Sequence, residues 1–214
     1  NWGITMNYAF TNGKLLDGNR DMQVQTGLCI LMKNGLISDI VPDTADVTGY
    51  RRVDLHGHYI LPGLINMHVH LAGNGKPQKK QRDNEKLVKR IMSTRLTRTI
   101  AYKMVCGFAN DELLGGVTTI RTVGGLGDFD TRLRDEITAG SRVGPRILAS
   151  NQGISVPGGH MAGSVAVAAA NIPEALAQLE KARSEKVDLI KLMITGGVLD
   201  AKEKGVPGSA LRPV

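Results

Sequence analysis

Two histidines two positions apart, His68 and His70, close the stretch Leu61-Pro62-Gly63-Leu64-Ile65-Asn66-Met67-His68-Val69-His70. On a β-strand, side chains two positions apart project to the same side, about 6–7 Å apart. Neutral imidazole is the commonest metal ligand, so this pair at a strand end can hold one divalent ion between its rings. The surrounding alternation fits a strand. Ile65, Met67, Val69 and Leu71 share one face, while Asn66, His68 and His70 share the other. Pro62-Gly63 sets a turn at its start, and Leu64 adds apolar surface. Such a strand suits a barrel covered outside by helices, with a site at its mouth. The alternative is a hairpin strand with two solvent-facing histidines.

Lys191 is the second residue with chemical potential. It lies in Asp188-Leu189-Ile190-Lys191-Leu192-Met193-Ile194, a run with the composition of a buried strand. A charged lysine there is costly unless it is paired or loses its proton. A neutral amine can act as a base, form a Schiff base, or combine with carbon dioxide to give an anionic carbamate with two oxygens. Thr195-Gly196-Gly197 follows, at the strand end where barrel sites lie. The alternative is an edge-strand lysine that reaches solvent.

The elements that must position these residues follow from local signals. Residues 1–60 read as short strands and turns, a small antiparallel, β-sandwich-like domain. Asn12-Gly13, between Tyr8-Ala9-Phe10 and Leu15-Leu16, predicts one hairpin, and Asn34-Gly35 predicts another. From Leu61 to Val214, strands alternate with helices. A polar loop over 72–83 leads into a helix predicted from Asn84 to Leu114. A strand follows over 117–123, then Gly124-Gly125 and a helix over 128–139 stopped by Gly140. Residues 146–150 predict the next strand, and 153–163 a Gly-rich loop. Asn171 and Pro173 open a helix reaching about Lys186, and 188–194 predict the last strand. Repeated strand–helix units imply a parallel sheet, as a barrel or an open doubly wound sheet.

The chain resembles the amidohydrolase superfamily, nearest its imidazolonepropionase-like and metal-dependent prolidase branch. The resemblance rests on the stretch ending in His68-Val69-His70, on Gly116-Val117-Thr118-Thr119-Ile120-Arg121, on Gly144-Pro145-Arg146-Ile147-Leu148-Ala149-Ser150, on Gly158-Gly159-His160, and on Asp188-Leu189-Ile190-Lys191 with Thr195-Gly196-Gly197-Val198. It implies a (β/α)8 TIM barrel preceded by a small β domain, and hydrolysis of an amide, peptide or cyclic amide C–N bond. It also implies one or two divalent ions, usually zinc. His68 and His70 map onto strand-one metal ligands, and Lys191 onto the carbamate-bearing lysine that bridges two metals. His160 maps onto a loop residue that contacts substrate, the alternative being an ordinary loop histidine. His56 and His58 match no ligand position. Asn66 stands where the family often has Asp, which removes a charge near the ligands.

Residues 61–214 hold room for about four strand–helix units, whereas a whole barrel takes about 250 residues. The family's further histidines and its general-base aspartate have no counterpart here. The expectation is a portion of a longer enzyme, completed by a C-terminal half or by assembly as a homo-oligomer. The competing expectation is an inactive amidohydrolase-like scaffold module.

Composition narrows the class. At 42% hydrophobic and 22% charged the chain reads as an ordinary globular protein. It has no apolar run long enough to span a membrane and no signal-peptide pattern at its start. Cys29 and Cys106 form neither a disulfide framework nor a zinc-ribbon spacing, which fits buried thiols and a cytoplasmic location. The net charge is +7, concentrated between Lys76 and Lys103. No nucleic-acid-binding motif accompanies it, so a solvated helix face or a rim attracting anionic substrates is expected instead.

Overall fold

The computed structural model describes residues 7–73 and 83–197. The chain divides into two units at the Gly63–Leu64 junction.

In the first unit, β1 (Tyr8–Thr11), β3 (Leu28–Lys33), β4 (Leu36–Pro42) and β5 (Arg51–Asp54) form one sheet in the order β4-β3-β1-β5. Two-residue strands β2 (Lys14–Leu15) and β6 (Tyr59–Ile60) form another. Asn34 and Gly35 both have positive φ, 53° and 79°, and join β3 to β4 in the expected hairpin. Asn12-Gly13 does not make the second hairpin. Asn12 donates from its amide to Asp54 Oδ1 at 2.9 Å, and Lys14 N–H donates to the His58 carbonyl at 3.0 Å. The corner packs on the 54–58 segment and carries the chain from one sheet into the other. A Cβ on Gly13 would sit 2.6 Å from Leu55 Cδ1, so glycine serves that close approach. The unit is therefore not purely antiparallel: β1 pairs with β5, and β2 with β6, in parallel. Its core gathers Ala9, Cys29 and Leu31.

In the second unit, β7 (Leu64–Val69), β8 (Val117–Thr122) and β9 (Arg146–Leu148) form a parallel sheet with β8 in the centre. Two helices connect β7 to β8, in place of the single predicted one: α1 (Asn84–Met92) and α2 (Arg95–Leu114). The break falls where two hydroxyls compete with the helix. Ser93 Oγ donates back to the Arg90 carbonyl at 2.8 Å, and Thr94 Oγ1 caps α2 by accepting from Thr97 N–H at 3.2 Å. After β8, α3 (Phe129–Thr138) ends in a Schellman motif. Gly140 takes φ 71°, its N–H reaches Ile137 O, and Ser141 N–H reaches Glu136 O. Val69, Leu71, Ile120 and Ile147 from the sheet side pack with Val105, Phe129 and Leu133 from α2 and α3.

The Gly-rich stretch after β9 is not wholly loop. It contains β10 (Gly153–Ser155), which joins β11 (Ala166–Ala168) and β12 (Leu192–Met193) in a second parallel sheet, order β11-β10-β12. Between β11 and β12 runs α4 (Ile172–Ser184), capped by Asn171 with Pro173 in its first turn. Only two residues of the predicted 188–194 strand enter a ladder. Its start is diverted by Asp188, whose carboxylate accepts from Ala149 N–H and Arg134 Nη1, both at 2.8 Å. Nor is this run fully buried: Ile190, Leu192 and Ile194 are exposed, while Met193 is buried and Lys191 half-buried. The apolar stripe of β7 behaves similarly. Val69 and Leu71 reach the core, but Ile65 is 63% and Met67 46% exposed.

Candidate active site

β7 delivers both histidines to one end of the β7-β8-β9 sheet. The ring centroids of His68 and His70 lie 5.2 Å apart, with planes inclined at 66°. Asn66 steadies the strand below them: its Oδ1 accepts from His68 N–H at 3.2 Å, and its amide reaches Glu112 at 3.4 Å. His70 is held from the next strand. Its Nδ1 lies 3.0 Å from the Gly124 carbonyl, just past β8. A carbonyl only accepts, so Nδ1 carries the proton and Nε2 keeps its lone pair. Gly124 has φ 130°, and a Cβ there would crowd the His70 ring at 3.4 Å and the Val165 carbonyl at 3.3 Å. The close approach of ring to backbone requires glycine.

His70 has a pKa below the ordinary imidazole value. Burial is the main cause; its bond to Gly124 opposes the shift, and the nearby charges of His68, Lys191 and His160 add to it. All four sequence-predicted residues therefore lie in one electrostatic neighbourhood around His70. Lys191 enters from the start of β12, where its carbonyl accepts from Ile154 N–H at 2.8 Å. Its side chain passes close to Gly153, where a Cβ would stand 3.3 Å from Lys191 Cγ. His160 is fixed through its main chain. Its N–H donates to the Thr195 carbonyl at 3.1 Å, and its carbonyl accepts from Ser155 Oγ at 3.0 Å. The adjoining Gly159 has no room for a side chain, since a Cβ would lie 2.5 Å from Val156 Cγ2.

The donor set fits part of a divalent-metal centre. Two imidazoles stand together, one with its tautomer fixed, and an amine lies within electrostatic reach. Among the described residues no group of three or more His, Cys, Asp or Glu side chains is placed to hold an ion, so further anionic donors would have to join the pair. His56 lies in the first unit, exposed and 3.6 Å from Asp54 Oδ2. Lys76, Lys79, Lys80 and Arg82 of the basic stretch, the polar loop over 74–82 and Val198 of the last motif lie outside the described residues. Of the remaining basic side chains, Lys86 and Lys89 pair with Asp83 and Glu85 at 3.4 and 2.8 Å, the pattern of a solvated helix face. A cleft of about 680 Å³ bordered by Lys89, Arg98, Gly158 and Lys181 includes none of His68, His70, His160 or Lys191.

Sequence reasoning missed what lies behind His70. Gly124 N–H donates to Ser150 Oγ at 2.9 Å, and Ser150 N–H donates to Thr122 Oγ1 at 3.1 Å. Next to this network sits Asp130, only 1% exposed. Neither of its carboxylate oxygens makes a well-formed hydrogen bond. Burial lifts its pKa to about 6, eased only in part by the Thr122 hydroxyl and the Asn151 main-chain N–H. The one sequence signal was Gly124-Gly125 itself: a Cβ on Gly125 would fall 2.5 Å from Asp130 Oδ2.

Residues 59–209 match the amidohydrolase family. The chain is 34% identical over 70 residues to a dihydroorotase of Trichlorobacter lovleyi, covering 33% of this chain and 16% of that protein. It is 41% identical over 68 residues to an imidazolonepropionase of Klebsiella pneumoniae, covering 30% and 16%. Among solved structures, a putative prolidase from Bifidobacterium longum superposes on 92% of this chain with a TM-score of 0.69 and 30% identity. That match covers 43% of the prolidase chain, so this chain spans less than half its length. By its matched residues and the fold they adopt, the chain belongs to the amidohydrolase family.

Proposed function

We propose that this chain carries the N-terminal part of a metal-dependent hydrolase that cleaves an amide, peptide or cyclic amide C–N bond. The observation that carries this reading is the pair His68 and His70, with the Nδ1 of His70 committed to the Gly124 carbonyl. Members of the amidohydrolase family generally use divalent metals. A divalent ion, zinc by preference for these imidazoles, would supply the Lewis acidity that lowers the pKa of water and polarises the scissile carbonyl.

The chain's own residues then take distinct roles. His68 and His70 would hold the ion through their ring nitrogens. Asn66 and Gly124 orient them. Lys191, half-buried and within electrostatic reach of His70, serves as the neutral amine that adds to carbon dioxide: an N–C bond forms, a proton leaves to solvent, and the carbamate supplies two oxygens that share one negative charge. That step provides the anionic donors the imidazoles lack. His160, anchored at both main-chain groups, is the substrate contact.

The same reading takes residues 61–214 as half of a (β/α)8 barrel and 1–60 as the small β domain before it. The parallel order of β7, β8 and β9 supports it. A small amide or dipeptide is the substrate class, suggested by the relatives above. Cys29 and Cys106 are both free thiols, which supports the cytoplasm as its compartment.

Hydrolysis of a panel of dipeptides and cyclic amides, by metal-stripped and zinc-reloaded enzyme carrying this chain, tests the reading. Activity is expected to vanish on stripping, return with zinc, and be absent from a His68→Ala/His70→Ala variant. Undiminished hydrolysis by that variant would refute it.

A further inference from the structure

Asp130 is the one carboxylate among the buried polar side chains of the described residues, and it lacks a well-formed hydrogen bond. Shape alone does not call for an acid there, since asparagine or leucine would fill similar space without a charge to desolvate. Its position supplies a reason. The carboxylate packs directly on Gly125, where a Cβ would lie 2.5 and 2.7 Å from its two oxygens. Gly125 shares a peptide bond with Gly124. The Gly124 N–H is held by Ser150 Oγ at 2.9 Å, and its carbonyl takes the Nδ1–H of His70 at 3.0 Å. The preceding residue, Val123, donates its N–H to the Val69 carbonyl at 3.0 Å, between the two histidines in sequence. The residue after Asp130 is tied to Asn151: Asn151 Oδ1 accepts from Thr131 N–H, and the Asn151 side-chain amide donates to Thr131 Oγ1, both at 3.0 Å.

We propose that Asp130 is a positioning residue for His70: its carboxylate, packed on Gly125, fixes and polarises the Gly124–Gly125 peptide whose carbonyl holds the Nδ1–H of His70, so that Nε2 keeps its lone pair for a metal. A negative charge beside a peptide strengthens the carbonyl of that peptide as an acceptor when both are out of water. A firmer bond at Nδ1 makes Nε2 the better donor. The raised pKa of Asp130 agrees with a group kept in place against its own solvation. The proposal rests on the reading of His70 as a metal ligand.

Long-range ¹H–¹⁵N NMR of the metal-free chain at pH 8, joined to zinc titration, tests it. In the wild type His70 is expected in the Nδ1–H tautomer. Asp130→Ala is expected to mix the two tautomers and to weaken zinc binding about tenfold. Asp130→Asn keeps the shape without the charge. It is expected to keep the tautomer, move the His70 Nε2 resonance, and lose an intermediate share of the affinity. A folded Asp130→Ala chain with unchanged His70 resonances and zinc affinity overturns the proposal. Should that variant not fold, an Asp130→Asn chain indistinguishable from wild type in both readouts overturns it equally. If the wild type binds no zinc but its His70 tautomer still follows Asp130, the metal function fails and the positioning role stands.

Discussion

At the scale of residues, the site depends on groups that touch His70 and on groups one contact further out. Asp130 has a measurable consequence of its own. Its folded-state pKa, about 6, exceeds the ordinary 3.8. A carboxyl whose pKa rises on folding favours the fold below its unfolded value, and that advantage is lost as pH climbs to the folded value. The wild type is therefore penalised above about pH 6, and Asp130→Asn escapes the penalty. Urea denaturation is expected to show the variant more stable by roughly 2–3 kcal/mol at pH 8, with the gain shrinking towards zero near pH 4. A difference independent of pH would contradict the assignment. Gly125→Ala forces a methyl group against the same carboxylate and is expected to destabilise the chain by about 1–3 kcal/mol. Combining it with Asp130→Ala is expected to relieve most of that loss, because the two sites share one contact.

At the scale of elements, caps and turns fix where the site-bearing strands begin and end. Asn171 Oδ1 accepts from Glu174 N–H at 2.9 Å, while Glu174 Oε2 takes the Ala170 N–H at 2.8 Å, which closes the start of α4. Asn171→Ala is expected to cost about 1 kcal/mol in thermal or urea unfolding. Elements of this kind were legible in the sequence: the Asn171–Pro173 start, the Gly140 stop and the Asn34-Gly35 hairpin rest on local backbone chemistry. So did the strand that carries His68 and His70. What local signals could not convey were outcomes set by distant partners. Asn12-Gly13 has hairpin residues, yet Asp54 and His58 bind its corner and redirect the chain. Ser93 and Thr94 sit within a pattern helical on both sides and break it by capping. β10 hides in a Gly-rich stretch because its partners, Ala166–Ala168 and Leu192–Met193, come later in the chain. Asp130 reads as an ordinary first-turn acid of α3, and only tertiary burial sets it apart.

At the scale of the whole molecule, the two three-stranded sheets of the second unit have open edge strands among the described residues, including β7, which pairs only with β8, and β12, which pairs only with β10. Leu64, Ile65 and Met67 on the first, and Ile190, Leu192 and Ile194 on or beside the second, remain exposed. Unpaired edges with apolar side chains promote association. Light scattering of the isolated 23.0 kDa chain is expected to report a mass above that of a monomer. Replacing Ile65 and Ile190 by lysine is expected to lower it, and a strictly monomeric wild type would contradict this view of the edges.

Zinc content after loading and desalting, compared between the wild-type chain and its His68→Ala/His70→Ala variant, tests the metal assignment most directly. About one zinc per wild-type chain and almost none in the variant is the expected result, because the proposed centre takes its principal donors from His68 and His70. Equal zinc in both would contradict the account.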